Sequence, residues 1–380
     1  MKRASLCLCT AMLLGGSAAA HAEDDHADAL QAVAAAAGAE TRPTTRPAAG
    51  VRFTIVRQLD EPVIHKSSPG AEDNKYGFEG GSAIKLNGTY HLFTSEMAGD
   101  PWWTRMRFGH WTSRDAVRWQ RVSTLYESSG DYTGKDPRAA LWSPMPIFNE
   151  REDRWNLFYV AYRSAPDTPP ESRRNYDGHI WRAISEAPGR DGIAGPYKDI
   201  GVVLKPGPDC KKWEGLQGTD SFFPYQVGRK WHALYGSAQT QYQPIPFWGV
   251  GLAEAPELAG PWKRCAGDEP VPIDSVFTEN PIVCRLGDGT YIAVCDTFVP
   301  NGIAYSASRD SVHWSPASHI VLKQTETLWV KDLRTPLGLI DEGNDTFTLL
   351  YTAYATPAWK SYGCVGLITV RMEIAKSAKP

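Results

Sequence analysis

After the first two dozen residues no stretch is apolar for long enough to cross a bilayer, and no two cysteines stand in CxxC spacing. A later membrane span and a thioredoxin-like redox centre are thereby excluded, and the nine histidines form no Cys/His pattern for structural zinc. A dominant charge sign is missing too. Forty Lys and Arg face 43 Asp and Glu for a net charge of −3, or −5 once Lys2 and Arg3 leave with an export segment. That balance excludes the basic footprint of a nucleic-acid binder. Helical periodicity is almost absent, so bundles and coiled coils drop out. What is abundant is aromatic: fourteen Trp, sixteen Tyr and twelve Phe, large flat side chains that anchor cores and binding surfaces.

The first 22 residues read as an address. Lys2 and Arg3 precede the apolar run Ser5 to Gly16, which is too short to span a bilayer, and Ala20-His21-Ala22 fits a small-x-small cleavage site. Cleavage after Ala22 predicts a secreted or periplasmic protein with no remaining membrane anchor. A lipoprotein would use Cys7 or Cys9, but both sit inside the apolar run. Residues 23–50 are Ala-rich, then Thr- and Pro-rich, and read as a linker. Residues 51–375 remain for one folded domain. Its five cysteines are an odd number in an oxidising compartment, so pairing within one chain is incomplete. Cys210 and Cys265, at the edges of one repeat, are the expected bridge, and the others read as small buried apolar residues.

From residue 78 the chain restarts the same phrase. A short apolar strand runs to a turn and an aromatic-rich second strand follows, in Phe78 to Met97, Leu141 to Tyr162, Gly218 to Ala238 and Thr278 to Asp296, with a looser copy from Val330 to Tyr354. The first four are followed by GHWTSRDAVRW, IWRAISEAPGRDGIAGPY, GVGLAEAPELAGPW and GIAYSASRDSVHW, which read as a third strand, a loop and the start of a fourth. Four strands in each of five repeats predict an all-β, five-bladed β-propeller, with a β-sandwich as the competing architecture. Val51 to Val56 reads as a strand that closes the last blade.

Residues at equivalent starts of the innermost strands converge on the propeller axis. Glu79 lies 11 residues before Tyr90, Asp220 lies 11 before Trp231, and Glu279 lies 12 before Tyr291. Three blades thus aim a carboxylate at one point, with Trp142 and Ser143 at that place in the second blade and Asp332 near it in the fifth. Clustered carboxylates repel, so at least one holds its proton near neutral pH while another stays ionised. Glycoside cleavage needs that division of labour. Capping of strand ends or binding of a structural cation is the competing use of these acids. Glu96, Asp136, Asp177, Glu214 and Asp296 lack the registration, although Asp136 and Glu214 precede inner strands and could reach the pocket. Asp115 and Asp310, in two SRD turns, read as loop hydrogen-bonders. Trp102, Trp103 and Trp142 are candidates to stack on a sugar face, and Arg334, with Arg105, Arg107, Arg138 and Arg163, to grip hydroxyls or an anionic group.

The segments GTDSFF, TENPIV and NGTYHLF resemble those of the five-bladed β-propeller glycoside hydrolases, particularly family 43 and its relatives, over residues 78–322. The resemblance implies that Glu279 is the general acid, Asp220 the residue that modulates its pKa, and Glu79 the general base. LWSPMP matches a segment whose Trp, here Trp142, is structural or sugar-facing. Glu79 stands where the family has Asp, and the extra methylene alters the gap that admits water, so the stereochemical outcome is not carried over. The fifth repeat lacks the His found near that family's axial cation, so no metal ligand is carried over. No cofactor is required on this reading, a structural cation near the axis being the one ion it leaves room for. The substrate is a carbohydrate, from a plant or algal polysaccharide or its oligosaccharides. Three rivals share the pocket: a non-catalytic carbohydrate-binding propeller, a glycoside phosphorylase, and a sialidase-like enzyme suggested by the SRD turns.

Overall fold

The computed structural model describes residues 50–166, 175–242, 244–265, 267–274, 277–356 and 361–374. The export segment and nearly all of the linker lie outside the described residues, as do residue 375 at the end of the proposed domain and the middle of the second-blade loop.

Among the described residues twenty strands form five four-stranded antiparallel sheets. The first blade is β2 (Phe78–Leu86), β3 (Thr89–Met97), β4 (Met106–Ser113) and β5 (Gln120–Glu127). The second is β6 (Ala140–Asn149), β7 (Arg154–Ser164), β8 (Asn175–Ser185) and β9 (Tyr197–Leu204). The third is β10 (Asp220–Val227), β11 (Lys230–Ala238), β12 (Trp248–Ala255) and β13 (Lys263–Arg264), and the fourth is β14 (Ile282–Arg285), β15 (Tyr291–Cys295), β16 (Gly302–Ser308) and β17 (Ser318–Val321). The fifth joins β18 (Asp332–Gly343), β19 (Thr346–Tyr354) and β20 (Cys364–Ile374) to β1 (Val51–Gln58). This is the five-bladed β-propeller the repeats predict.

Burial follows from position in the blade. Inner and middle strands lie between neighbouring blades and are covered on both faces, so Leu157 to Tyr162 of β7 reads as one apolar run and is buried throughout. Outer strands meet solvent, and β5 and β9 alternate between covered and exposed residues. The β2–β3 hairpin turns on Asn87-Gly88, both at positive φ, the backbone of a type I′ turn.

The ring is closed by its earliest strand. β1 pairs antiparallel with β20 from Val51↔Ile374 to Gln58↔Ile368, which caps the exposed edge of the last blade. Gln58 then exchanges two hydrogen bonds with the backbone of Lys323, tying this strand to the segment that leaves the fourth blade.

The SRD turns hold the blades together locally. Asp115 accepts from the backbone N–H of Val117 and Arg118, Asp310 does the same for Val312 and His313, and the following Trp119 and Trp314 donate back to Ala116 and Ser311. They are loop hydrogen-bonders, as the sequence suggests. Two expectations fail. Cys210 and Cys265 are both free thiols. Glu214 precedes an inner strand but does not reach the pocket: Arg264 holds it at 2.8 Å and Tyr235 donates to it at 2.8 Å, so its charge is matched inside the third blade.

Candidate active site

A β-bulge interrupts the start of the inner strand in four of the five blades, between Phe78 and Gly81, Trp142 and Met145, Asp220 and Phe222, and Leu333 and Pro336. The extra residue turns the chain so that one side chain points along the axis and the next across it. Gly80, Ser143, Ser221 and Asn280 all take positive φ at this point. Each directly follows a candidate residue: Glu79, Trp142, Asp220 and Glu279.

In the fifth blade the bulge brings Arg334 to the equivalent position, and Asp332 lies two residues upstream at the start of the strand. The sequence spacing points to Asp332 near this place; the bulge puts Arg334 there instead. Asp332 still acts electrostatically on both Glu79 and Arg334.

The axial cluster is three carboxyl groups around one guanidinium, with a fourth, Asp220, joined to it through Glu279. Arg334 Nη2 lies 3.2 Å from Glu79 Oε1, 3.7 Å from Glu279 Oε2 and 3.9 Å from Asp296 Oδ2. Asp220 accepts from the Ser221 backbone N–H at 2.6 Å, from Gln217 at 3.5 Å and from the Tyr162 hydroxyl, and it is hydrogen-bonded to Glu279. Gln217 also donates to Tyr162 at 3.1 Å, fixing that hydroxyl.

Burial raises the pKa of Glu79, Asp220, Glu279 and Asp296 alike, with a different opposing force at each. Glu279 is pushed well above the carboxylate range, first by burial and then by the charges of Asp220 and Asp296. Asp220 is pulled back by Tyr162, Ser221, Glu279 and Gln217, and Glu79 by its ion pair with Arg334. Asp296 rises to about 7 through burial, with Arg334 opposing. One proton therefore rests most readily between Glu279 and Asp220, while Arg334 favours an ionised Glu79. A buried acid beside a buried ionised carboxylate is the arrangement that proton transfer to a leaving group requires.

Asp296 is the residue that registration missed. It lies just past β15 in the fourth blade, where its backbone N–H donates to the carbonyl of Glu279 at 3.0 Å. The signal was hairpin pairing: the residue opposite an inner-strand acid shares its end of the blade. Among the described residues no group of three or more His, Cys, Asp and Glu is arranged to hold a metal ion. The positive charge within this cluster belongs to Arg334.

The three candidate tryptophans come together. Trp142 holds the ring position of the second blade, Trp103 meets it edge to face at 6.0 Å between centroids, and Trp102 stacks on Trp103 at 4.4 Å. All three are half-buried. Of the other arginines, Arg107 pairs with buried Glu96, Arg138 with Asp199 and Arg163 with Asp177, so their charges are matched within the blades.

The fold has counterparts among solved structures. The chain superposes on a family 117 glycoside hydrolase of the marine bacterium Zobellia galactanivorans with a TM-score of 0.55 at 15% identity, covering 87% of this chain and 92% of that one. The fold is that of the propeller glycoside hydrolases. A thermostable family 43 glycoside hydrolase matches at TM-score 0.53 and 14% identity over 83% of this chain and 98% of the other. A family 32 beta-fructofuranosidase of Bombyx mori matches at 0.53 and 16% over 91% and 67%. No family model and no curated protein matches the sequence. The likeness is therefore to the propeller hydrolases at large, not to family 43 in particular.

Proposed function

We propose that the protein is a secreted glycoside hydrolase acting on plant or algal polysaccharides or their oligosaccharides. The observation that carries this reading is the split among the axial acids: Glu279 shares a hydrogen bond with Asp220 while Glu79 is paired with Arg334. The names of its structural neighbours, which are glycoside hydrolases of families 117, 43 and 32, support the same reaction class.

In this mechanism Glu279 protonates the glycosidic oxygen as the bond to the anomeric carbon breaks. Asp220, held by Tyr162 and Gln217, takes the hydrogen-bonding role that keeps the Glu279 proton in place before transfer. Glu79 acts from the other side of the ring, as base toward water or as nucleophile. Arg334 favours the ionised form of Glu79 against the opposing effect of burial and limits the repulsion among the acids. Trp142 offers the ring position an apolar face for the sugar.

The test is a screen of residues 23–380 against arabinose-, xylose-, galactose-, fucose- and fructose-containing glycans and aryl glycosides, with Glu279→Gln and Glu79→Gln alongside. Loss of general acid help is expected to slow turnover about 10²–10⁴-fold. Turnover left intact in both folded variants would remove the assignment, and binding without product would favour a carbohydrate-binding propeller.

A further inference from the structure

Immediately beneath the acids the axis is shut. The residues following the ring positions meet across it: Asn280 Oδ1 accepts from Ser143 at 3.4 Å and from Ser221 at 3.2 Å, and Asn280 Nδ2 donates to Thr335 at 3.4 Å and to Asp296 at 3.2 Å. One asparagine of the fourth blade thus bonds the second, third and fifth. The first blade contributes Gly80, where an added Cβ would lie 3.3 Å from Ser143 Oγ. Ser143, Ser221, Asn280 and Thr335 are all buried. A sugar chain has no passage through such a floor.

The second observation lies on the rim. Trp103 adopts φ 63, a left-handed conformation that is strained for a large aromatic and persists only where its surroundings hold it. Its carbonyl accepts from Asn175 of the second blade at 3.0 Å, and the N–H groups of Thr104 and Arg105 return to Pro101. The strained turn sets Trp103 against Trp142 and stacks Trp102 beyond it, carrying an aromatic surface outward from the ring position.

We infer that the site is a dead-end pocket that accepts a single terminal sugar residue, with the Trp103–Trp102 pair forming a platform for the leaving portion of an oligosaccharide. The enzyme is then exo-acting, and its substrate is a chain of at least two residues beyond a free monosaccharide's reach. This rests on the hydrolase reading for the cleavage step, while the platform itself is a binding claim.

The experiment uses arabino-, xylo-, galacto- and fructo-oligosaccharides of two to six residues carrying a fluorescent label at the reducing end. Their binding is measured by calorimetry beside the free monosaccharides, and their hydrolysis by the sizes of the labelled products. An oligosaccharide of the recognised type is expected to bind more tightly than its monosaccharide, and Trp103→Ala and Trp102→Ala are each expected to shrink that advantage about 3- to 10-fold. Two variants are used because Trp103 sits in a strained turn; thermal unfolding reports whether each folds. Wild type is expected to shorten labelled chains one residue at a time. Equal affinity for monosaccharide and oligosaccharide, or an advantage untouched by either variant, overturns the platform. Labelled fragments of mixed length at the earliest times overturn the dead-end pocket. Platform binding without hydrolysis of any chain leaves the platform standing but overturns the hydrolase reading, and exo action with it.

Discussion

Replacing Arg334 by Gln tests whether this residue is the counter-charge of the axial cluster. The substitution keeps a polar side chain but leaves Glu79, Glu279 and Asp296, which it now approaches at 3.2 to 3.9 Å, without a cation. Removing one partner of a buried ion pair costs about 3–5 kcal/mol, because the remaining charge stays desolvated. For a domain of this size that is roughly 4–7 °C in Tm. The loss must also depend on pH. Without Arg334 the folded pKa values of these acids rise further above their unfolded values, so the folded variant holds protons that the unfolded chain has released. Such a group contributes its stability fully below the unfolded pKa and loses it as pH rises through the folded one. Each extra proton held makes stability fall by about 1.4 kcal/mol per pH unit across that window. Thermal unfolding followed by circular dichroism at pH 8 and pH 5 is the assay. The deficit relative to wild type is expected to be largest at pH 8 and clearly smaller at pH 5. An equal deficit at both values, or none at pH 8, would refute the claim that Arg334 neutralises these acids.

Other consequences are as direct. His110 is buried and held neutral, its pKa lowered to about 3 first by burial and then by His91, whose ring nitrogen lies 3.0 Å away. A depressed folded pKa means that stability falls as pH drops below about 6.5; urea unfolding at pH 7 and pH 5 should show this, and His110→Phe should reduce the slope. Glu96 is fully buried among Arg107, Arg121 and Trp111, so Glu96→Gln should cost about 3–5 kcal/mol in urea unfolding without touching the axial residues. Deleting residues 51–58 strips the outer strand from the fifth blade, and the protein should then lose cooperative thermal unfolding or associate through β20, as light scattering would report. Tyr162→Phe removes a hydrogen bond to Asp220; the acid limb of the pH–rate profile should shift while the fold survives, and an unmoved profile would deny Tyr162 that role.

The fold was legible because each blade repeats a pattern that its neighbours force. A strand buried on both faces has to be largely apolar, as Leu157 to Tyr162 is, and a hairpin without a loop has to carry a residue pair such as Asn87-Gly88. Closure by Val51 to Val56 was legible for the same reason, since an unpaired outer edge would otherwise be left on the last blade. Glu79, Asp220 and Glu279 were found by counting back from the second-strand aromatic, and that count differs by only one residue between the bulged first and third blades and the unbulged fourth. It failed in the fifth blade, whose inner strand has additional register shifts between Pro336 and Gly338 and between Asp341 and Gly343. Those shifts separate residue number from position on the axis, so Arg334 read as a contact for hydroxyls and not as the counter-charge of the acids. Asp296 was hidden differently, because it comes from the second strand, where no spacing within the inner strand can see it. The cysteine bridge failed because position at the edges of a repeat says nothing about separation in space.

The bulge at the head of the inner strand links the chemistry to the architecture. A regular strand would point consecutive residues to opposite faces, into the two neighbouring blades, and none would project along the axis. With one extra residue, Glu79, Trp142, Asp220 and Arg334 face the pocket while their successors close the floor, so the same irregularity builds both. The positive φ that follows the ring position, in the three bulged blades and in the unbulged fourth alike, explains the successors' identities: Gly80 pays no steric cost there, Asn280 tolerates the conformation, and Ser143 and Ser221 bring hydroxyls that offset it by bonding Asn280. Asn280 is then the residue on which acids and floor both depend, since it anchors Asp296 from below while directly following Glu279. A substitution there cannot loosen the floor without also releasing the acids. The geometry of the acid cluster and closure of the axis are therefore one structural property of this propeller.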